Sequence, residues 1–254
     1  MSDYMKLESE HGMDGVTMRV HRFVEKRMFS RLIATAPDKE PQYIVEGRDV
    51  YQLEVELNGG DVLLEPGALQ FHHGQISSSV IRHEEKGFLA RAIASSGTGE
   101  AAHATRFTGQ GTVWCEPGRR HFVLGTMESD SDAMLLDDRA FYACSGDIKL
   151  STHRHSSVAG LFSGNGLVQP KLTGRGVFAV ESPVPENEIK IIELDGTDEL
   201  VVNGDFMLMY SASLNVNIGP LVSGIRNTMR SGEGFVYRMT GKGTVFLMPT
   251  AKVS

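Results

Sequence analysis

Apolar residues at every second position dominate the chain beyond residue 40, and that period belongs to β-strands. Leu53, Val55 and Leu57 alternate, as do Leu214, Val216 and Ile218, with Asn215 and Asn217 on the opposite face of the latter run. Tight-turn pairs break the runs into short segments: Pro66-Gly67, Asp137-Asp138 and Asn203-Gly204. Helical spacing is scarce there, apart from short stretches over 87–94 and 221–229. The first 40 residues read differently. Val16, Val20, Val24, Met28 and Leu32 fall four apart with Phe23 beside them, while Arg19, Arg22, Lys26 and Arg31 carry charge elsewhere on the wheel. This predicts a basic amphipathic helix over 16–33, followed by a linker at Ala36-Pro37-Asp38-Lys39-Glu40-Pro41.

The strand pattern repeats. Phe107-Thr108-Gly109-Gln110-Gly111-Thr112-Val113 returns as Leu172-Thr173-Gly174-Arg175-Gly176-Val177-Phe178, and again as Met239-Thr240-Gly241-Lys242-Gly243-Thr244-Val245, at spacings of 65 and 67 residues. A fainter echo surrounds Gly47, 62 residues earlier. Ser96-Gly97-Thr98-Gly99, Ser163-Gly164-Asn165-Gly166 and Ser231-Gly232-Glu233-Gly234 precede the three copies, and strands opening at Asp61, Asp132 and Asp198 keep step. Three landmarks in one order predict an all-β domain over 41–254 built from tandem units of about 65 residues. The units run over about 43–106, 107–171 and 172–238, with a closing strand at 239–254, and pack in a pseudo-threefold arrangement that shields their edges. Glycine reaches positive φ without steric cost, so Gly109, Gly111, Gly174, Gly176, Gly241 and Gly243 read as turns, with Gly47 as a weaker member.

Composition narrows the class without changing this picture. With 41% hydrophobic and 22% charged residues, the chain has ordinary globular usage. No run of about 18 apolar residues predicts a membrane-spanning helix. Asp3, Glu8, Glu10 and Asp14 disagree with a signal or transit peptide, so the expected location is cytosolic. In a reducing compartment Cys115 and Cys144 are expected as free, buried thiols.

The residues that carry the repeat also resemble the altered-inheritance-of-mitochondria, or mitochondrial biogenesis, family over residues 43 to 254. The match rests on Tyr51-Gln52-Leu53-Glu54-Val55-Glu56-Leu57 leading into Gly60-Asp61, then Glu65-Pro66-Gly67-Ala68-Leu69, and on the copies at 107–113 and 241–247. That resemblance implies a threefold-repeated fold similar to the tryptophan-RNA-binding attenuation protein, a short relative of the double-stranded β-helix. It carries no catalytic residues over, and fold analogy does not carry function. The N-terminal extension, residues 1–40, departs from many relatives.

Candidate chemistry is thin. His153 and His155 would face one side of a strand, as metal ligands do in cupin-type sites, but Ser156-Ser157-Val158-Ala159 follows where a carboxylate ligand belongs. His72 and His73 are adjacent and point to opposite faces. Gly160-Leu161-Phe162-Ser163-Gly164 misplaces its serine for a nucleophile elbow, and Gly241-Lys242-Gly243-Thr244 lacks the spacing of a phosphate loop. The Ser-Gly-x-Gly turns offer backbone amides as anion nests around an axis. A net charge of −7 argues against nucleic acid, with Arg119-Arg120-His121 a local basic turn. The leading expectation is a non-enzymatic scaffold that needs no cofactor, presenting surfaces for self-association or a protein partner. The alternatives are a membrane-organising protein, whose Arg19, Arg22, Lys26 and Arg31 meet anionic lipid, and a small-molecule or metal binder at the axis.

Overall fold

The computed structural model describes residues 3–36, 39–81, 104–138, 140–155, 167–220 and 235–252. Among the described residues the protein is all-β, with nineteen strands and no α-helix. The Ser-Gly-x-Gly landmarks and both stretches read as helical, 87–94 and 221–229, lie outside the described residues.

The N-terminal segment is a pair of hairpins, which corrects the helical reading. β1 (Met5–Met13) and β2 (Val16–Phe23) pair across Asp14-Gly15, whose φ of 49° and 80° suit a primed hairpin turn. β2 then pairs with β5 (Tyr51–Leu64), from Val16 opposite Leu57 to Arg22 opposite Tyr51. Segment 1–40 is therefore no separate extension, because β1 and β2 belong to the same sheet as β5. A spacing of four is also two strand periods. Val16, Met18 and Val20 are all buried, and Met18 is the residue a helical wheel leaves aside. Burying each stabilises the sheet by roughly 1.5–3 kcal/mol. The expected linker at 36–41 is likewise part of a hairpin: β3 (Arg27–Ala36) and β4 (Lys39–Arg48) form a two-stranded sheet of their own, with Ala36 opposite Lys39.

From residue 51 onward, one set of pairings recurs over three stretches. In the first, β5 pairs with β7 (Thr105–Cys115), and β7 pairs with β6 (Leu69–Val80). The second divides the same course among more strands: β8 (His121–Met127), β9 (Ala133–Leu136), β10 (Phe141–Ser145), β11 (Lys149–His155), β12 (Leu167–Thr173) and β13 (Gly176–Ser182). Here β13 joins β8 to β10, and β12 joins β9 to β11. The third uses β14 (Lys190–Asp195), β15 (Leu200–Asn203), β16 (Met207–Ser211), β17 (Asn215–Pro220), β18 (Phe235–Thr240) and β19 (Lys242–Leu247). β19 joins β14 to β16, and β18 joins β15 to β17. A bulge falls at the same step each time, between Leu69/Phe71, Phe141/Ala143 and Met207/Met209. These stretches occupy 51–115, 121–182 and 190–247, so the glycine motif sits near the end of each, and boundaries drawn at the motif itself are displaced.

Ladders between stretches link the sheets. The end of β5 pairs with β10, Ala143 opposite Leu64, and β9 pairs with β16, Met209 opposite Leu136. Among the described residues no ladder joins β15 to β6, the pairing a closed threefold ring would require. Three apolar clusters fill the interior. One is built on Leu53, Val55, Leu57, Phe107 and Val113, a second on Leu136, Phe141, Leu172 and Phe178, and a third on Leu194, Tyr210, Met239 and Val245. Cys115 and Cys144 are buried free thiols, and burial pushes both up to about 12.

Gly174 and Gly241 stand where the chain leaves one sheet for another, and Gly109 stands within β7. Gly109 has φ 136°, and a Cβ there would lie 2.0 Å from the Gln75 carbonyl oxygen on the neighbouring strand β6. Gly174 has φ 120°, with the Asp147 carbonyl oxygen 2.6 Å from the same position. Gly241 shares the positive φ, at 99°, but its nearest neighbour is 3.6 Å away. Gly47 differs: it lies on β4 opposite Met28, outside these corners, and the fainter echo is textual. Alanine at Gly109 or Gly174 should therefore destabilise by more than ~2 kcal/mol, combining φ strain with a backbone clash, whereas Gly241→Ala should cost only about 1 kcal/mol. Denaturant unfolding of the three variants checks the ranking, and equal effects would contradict it.

Candidate functional site

Four groups of residues carry the candidate chemistry, and each is placed by the strands around it. The histidine pair lies on β11. His155 is buried, and its ring meets that of His153 edge to face at 4.6 Å between centroids. Gln169 on β12 donates its side-chain amide to the Leu136 carbonyl at 3.1 Å, which turns its Oε1 toward His155 Nε2, 2.8 Å away. The Tyr210 hydroxyl donates to the same Oε1 at 2.7 Å. An oxygen accepting both bonds requires His155 Nε2 to carry a proton, so this nitrogen has no lone pair for a metal. Burial pushes His155 below the ordinary imidazole range, the Gln169 bond opposes this, and His153 adds to it. His153 is lowered too, by burial and then by Lys171. The network spans β9, β11, β12 and β16 and ties the second stretch to the third. Among the described residues no group of three metal-ligating side chains converges.

The basic residues of the N-terminal segment meet carboxylates instead of forming one charged face. Arg19 pairs with Glu10, with Glu56 at 2.8 Å and with Glu54 at 3.7 Å, the last two on β5. Arg22 pairs with Glu8 at 2.8 Å and Asp49 at 3.5 Å, and Lys26 reaches Asp49 at 3.7 Å. Only Arg31 of the four stands on the separate hairpin, exposed on β3. On the same sheet His21 Nε2 lies 2.6 Å from Glu54 and its ring stacks on Trp114, whose ring also stacks with Phe71.

That hairpin carries a feature the helical reading obscured. Leu32 faces Tyr43, Ser30 faces Val45 and Met28 faces Gly47, so Met28, Leu32, Tyr43 and Val45 share one face. They are 67%, 49%, 58% and 60% exposed. At the base of the hairpin the Arg119 guanidinium lies 4.9 Å from the Phe29 ring centroid, and Arg27 lies 5.9 Å from that of Phe23. Period-two placement of Met28 and Leu32 was visible in the sequence, but their exposure was not.

Asp137 was also missed, read only as half of a turn. Burial pushes its carboxyl up to about 7, against an amide hydrogen bond from Asp138 that lowers it. It sits at the end of β9, where its amide donates to Leu208 at 2.8 Å. A cavity of about 540 Å³ opens nearby between the second and third stretches, with apolar walls including Met127, Phe178, Met209 and Phe246 and a polar lip of Ser131, Lys171, Ser211 and Ser213. Asp137 and the histidine pair do not line it.

Comparison with known proteins agrees with this architecture. A family described as Mitochondrial biogenesis AIM24 matches residues 43–250. The chain is also similar to a Streptococcus pyogenes protein solved by X-ray crystallography, at 20% identity and a TM-score of 0.57, with 87% of this chain and 93% of that one covered. That likeness shows the fold alone. No curated protein matches.

A carboxyl raised in the fold contributes stability below its unfolded pKa and loses it as pH climbs toward the folded value, so Asp137 should weaken the protein between about pH 4 and the folded value of about 7. The melting temperature of Asp137→Asn relative to the wild type should therefore rise between about pH 5 and about pH 8, and a constant difference would contradict this. His155→Ala leaves Gln169 and Tyr210 short of a partner and should cost about 1–3 kcal/mol in denaturant unfolding at neutral pH.

Proposed function

The chain belongs to the mitochondrial biogenesis AIM24 family, and on that premise we propose that it is a non-enzymatic scaffold whose β3–β4 hairpin docks a protein partner. The carrying observation is the exposed apolar face formed by Met28, Leu32, Tyr43 and Val45. Isolated two-stranded sheets are marginal in water, and a contiguous set of large apolar side chains left in solvent marks an interaction surface. Arg27 and Arg31 alternate with these residues, so their charge belongs to the other face of the hairpin, where Arg119 meets Phe29, and the apolar face itself is left uncharged. The perturbed polar groups support the same reading. His155, Gln169 and Tyr210 satisfy one another inside packed strands, which is a structural task.

The test replaces Met28, Tyr43 and Val45 by serine, which leaves the hydrogen-bonded core untouched. A protein recovered with the wild type from native cells, then purified and rebound, should lose about tenfold or more in affinity for each residue replaced. Undiminished binding by the triple variant would remove the hairpin from the interface. Co-sedimentation of the wild type with anionic vesicles, lost in the variant, would reassign the face to a membrane surface.

A further inference from the structure

One ion pair of the first stretch has lost half of itself in the second. In the first, Arg106 on β7 pairs with Asp61 on β5. The ladders fix the equivalent positions, because Phe107 faces Val62, Leu172 faces Met134 and Met239 faces Leu200. The residues just before these therefore correspond: Arg106 with Lys171 and Arg238, and Asp61 with Ala133 and Glu199. All three stretches keep the cation, but the second has no carboxylate to set against it. The backbone partner changes in step. Gly146 donates its amide to the Asp61 carbonyl, and a Cβ on Gly146 would fall on the Asp61 carboxylate. Ala212 donates in the same way to Ala133, and it can carry a Cβ because Ala133 sends no carboxylate there.

The vacated position borders the cavity of about 540 Å³, which Ala133, Lys171 and Ala212 all line. Its other polar groups are occupied. Asp132 accepts the Glu128 and Ser129 amides at 2.9 and 3.1 Å, and Ser211 accepts the Thr244 amide at 2.9 Å. Ser213 donates to the Lys242 carbonyl at 2.8 Å, Thr126 bonds His11 at 2.9 Å, and Ser131 bonds Ser129 at 2.9 Å. Among the described residues no carboxylate lies within ion-pair reach of Lys171. We propose that this cavity binds a small aliphatic carboxylate, whose head pairs with Lys171 as Asp61 pairs with Arg106 and whose chain lies on Met134, Met209 and Phe246.

Size and walls fit that class. The volume falls within the range of small-molecule sites, and methionine side chains adapt to a flexible chain. An anionic head gives a half-buried ammonium a charge-assisted partner, whereas a neutral ligand would cover Lys171 without satisfying it. Ligand binding goes beyond the scaffold reading and stands apart from it, because the cavity and the β3–β4 hairpin share no residue.

Calorimetric titration of octanoate into the full-length protein should saturate at one ligand per chain. Octanol, which has the same chain without the charge, should bind about tenfold or more weakly, and so should octanoate to Lys171→Met. Lys171→Arg should restore binding, since arginine holds the corresponding place in the first stretch. The double variant Ala133→Asp, Ala212→Gly rebuilds the first-stretch arrangement, and it should abolish octanoate binding while keeping the wild-type melting temperature. Absence of saturable octanoate binding to the wild type would overturn the proposal. Octanol binding as tightly as octanoate, or undiminished binding by Lys171→Met, would overturn it equally.

Discussion

Every strand in this protein must dispose of two rows of backbone donors and acceptors, and that requirement arranges the molecule. Sheets stay soluble when their edges are paired, covered or charged. Here the outer edge of β5 is covered by β2, so the N-terminal hairpin completes a sheet. The edges of β10 and β16 are met by the preceding stretch, which turns three sets of short strands into one continuous body. Among the described residues several strands, β6 and β15 among them, keep one edge without a ladder.

Passing from one sheet to the next imposes the second constraint. Where the chain bends with another backbone lying close to it, only a residue without Cβ accepts both conditions, as at Gly109 and Gly174. In the first stretch the bend stays within one strand, β7, whereas in the others it divides β12 from β13 and β18 from β19. Polar groups trapped by the packing are satisfied locally. Gln169 links His155, Tyr210 and the Leu136 carbonyl, and Gln52 on β5 donates to the Cys115 carbonyl and to Gln70. Such groups fix one register, since slipping a strand would leave them unpaired in the interior.

Much of this was legible in the chain because glycine at a forced backbone position cannot be replaced cheaply. The thrice-repeated Thr-Gly-x-Gly motif and the two-residue alternation pointed to the all-β class. The N-terminal segment was misread because spacing by four satisfies a helix and a strand alike, and only Met18 separates them. Arg19 and Arg22 looked like a basic face because Glu54, Glu56 and Asp49, distant in sequence, are brought to them by the β2–β5 ladder. Nor could pattern reveal Met28, Leu32, Tyr43 and Val45 as solvent-facing, since alternation marks a face without saying what covers it. Asp137 was hidden for a related reason: a turn-like pair of aspartates is ordinary until tertiary packing partly buries one of them.

The account turns on the claim that pairing between strands distant in sequence, β2 on β5 and β10 and β16 on the preceding stretch, holds the sheets together. Amide hydrogen exchange of the wild-type protein, followed peptide by peptide, tests it most directly. Peptides covering 16–22, 141–145 and 207–211 should be protected together, while 27–32, on the two-stranded β3–β4 sheet, exchanges fast. Exchange of 16–22 as fast as that of 27–32 would show that the first hairpin stands apart from the sheet and would contradict the account.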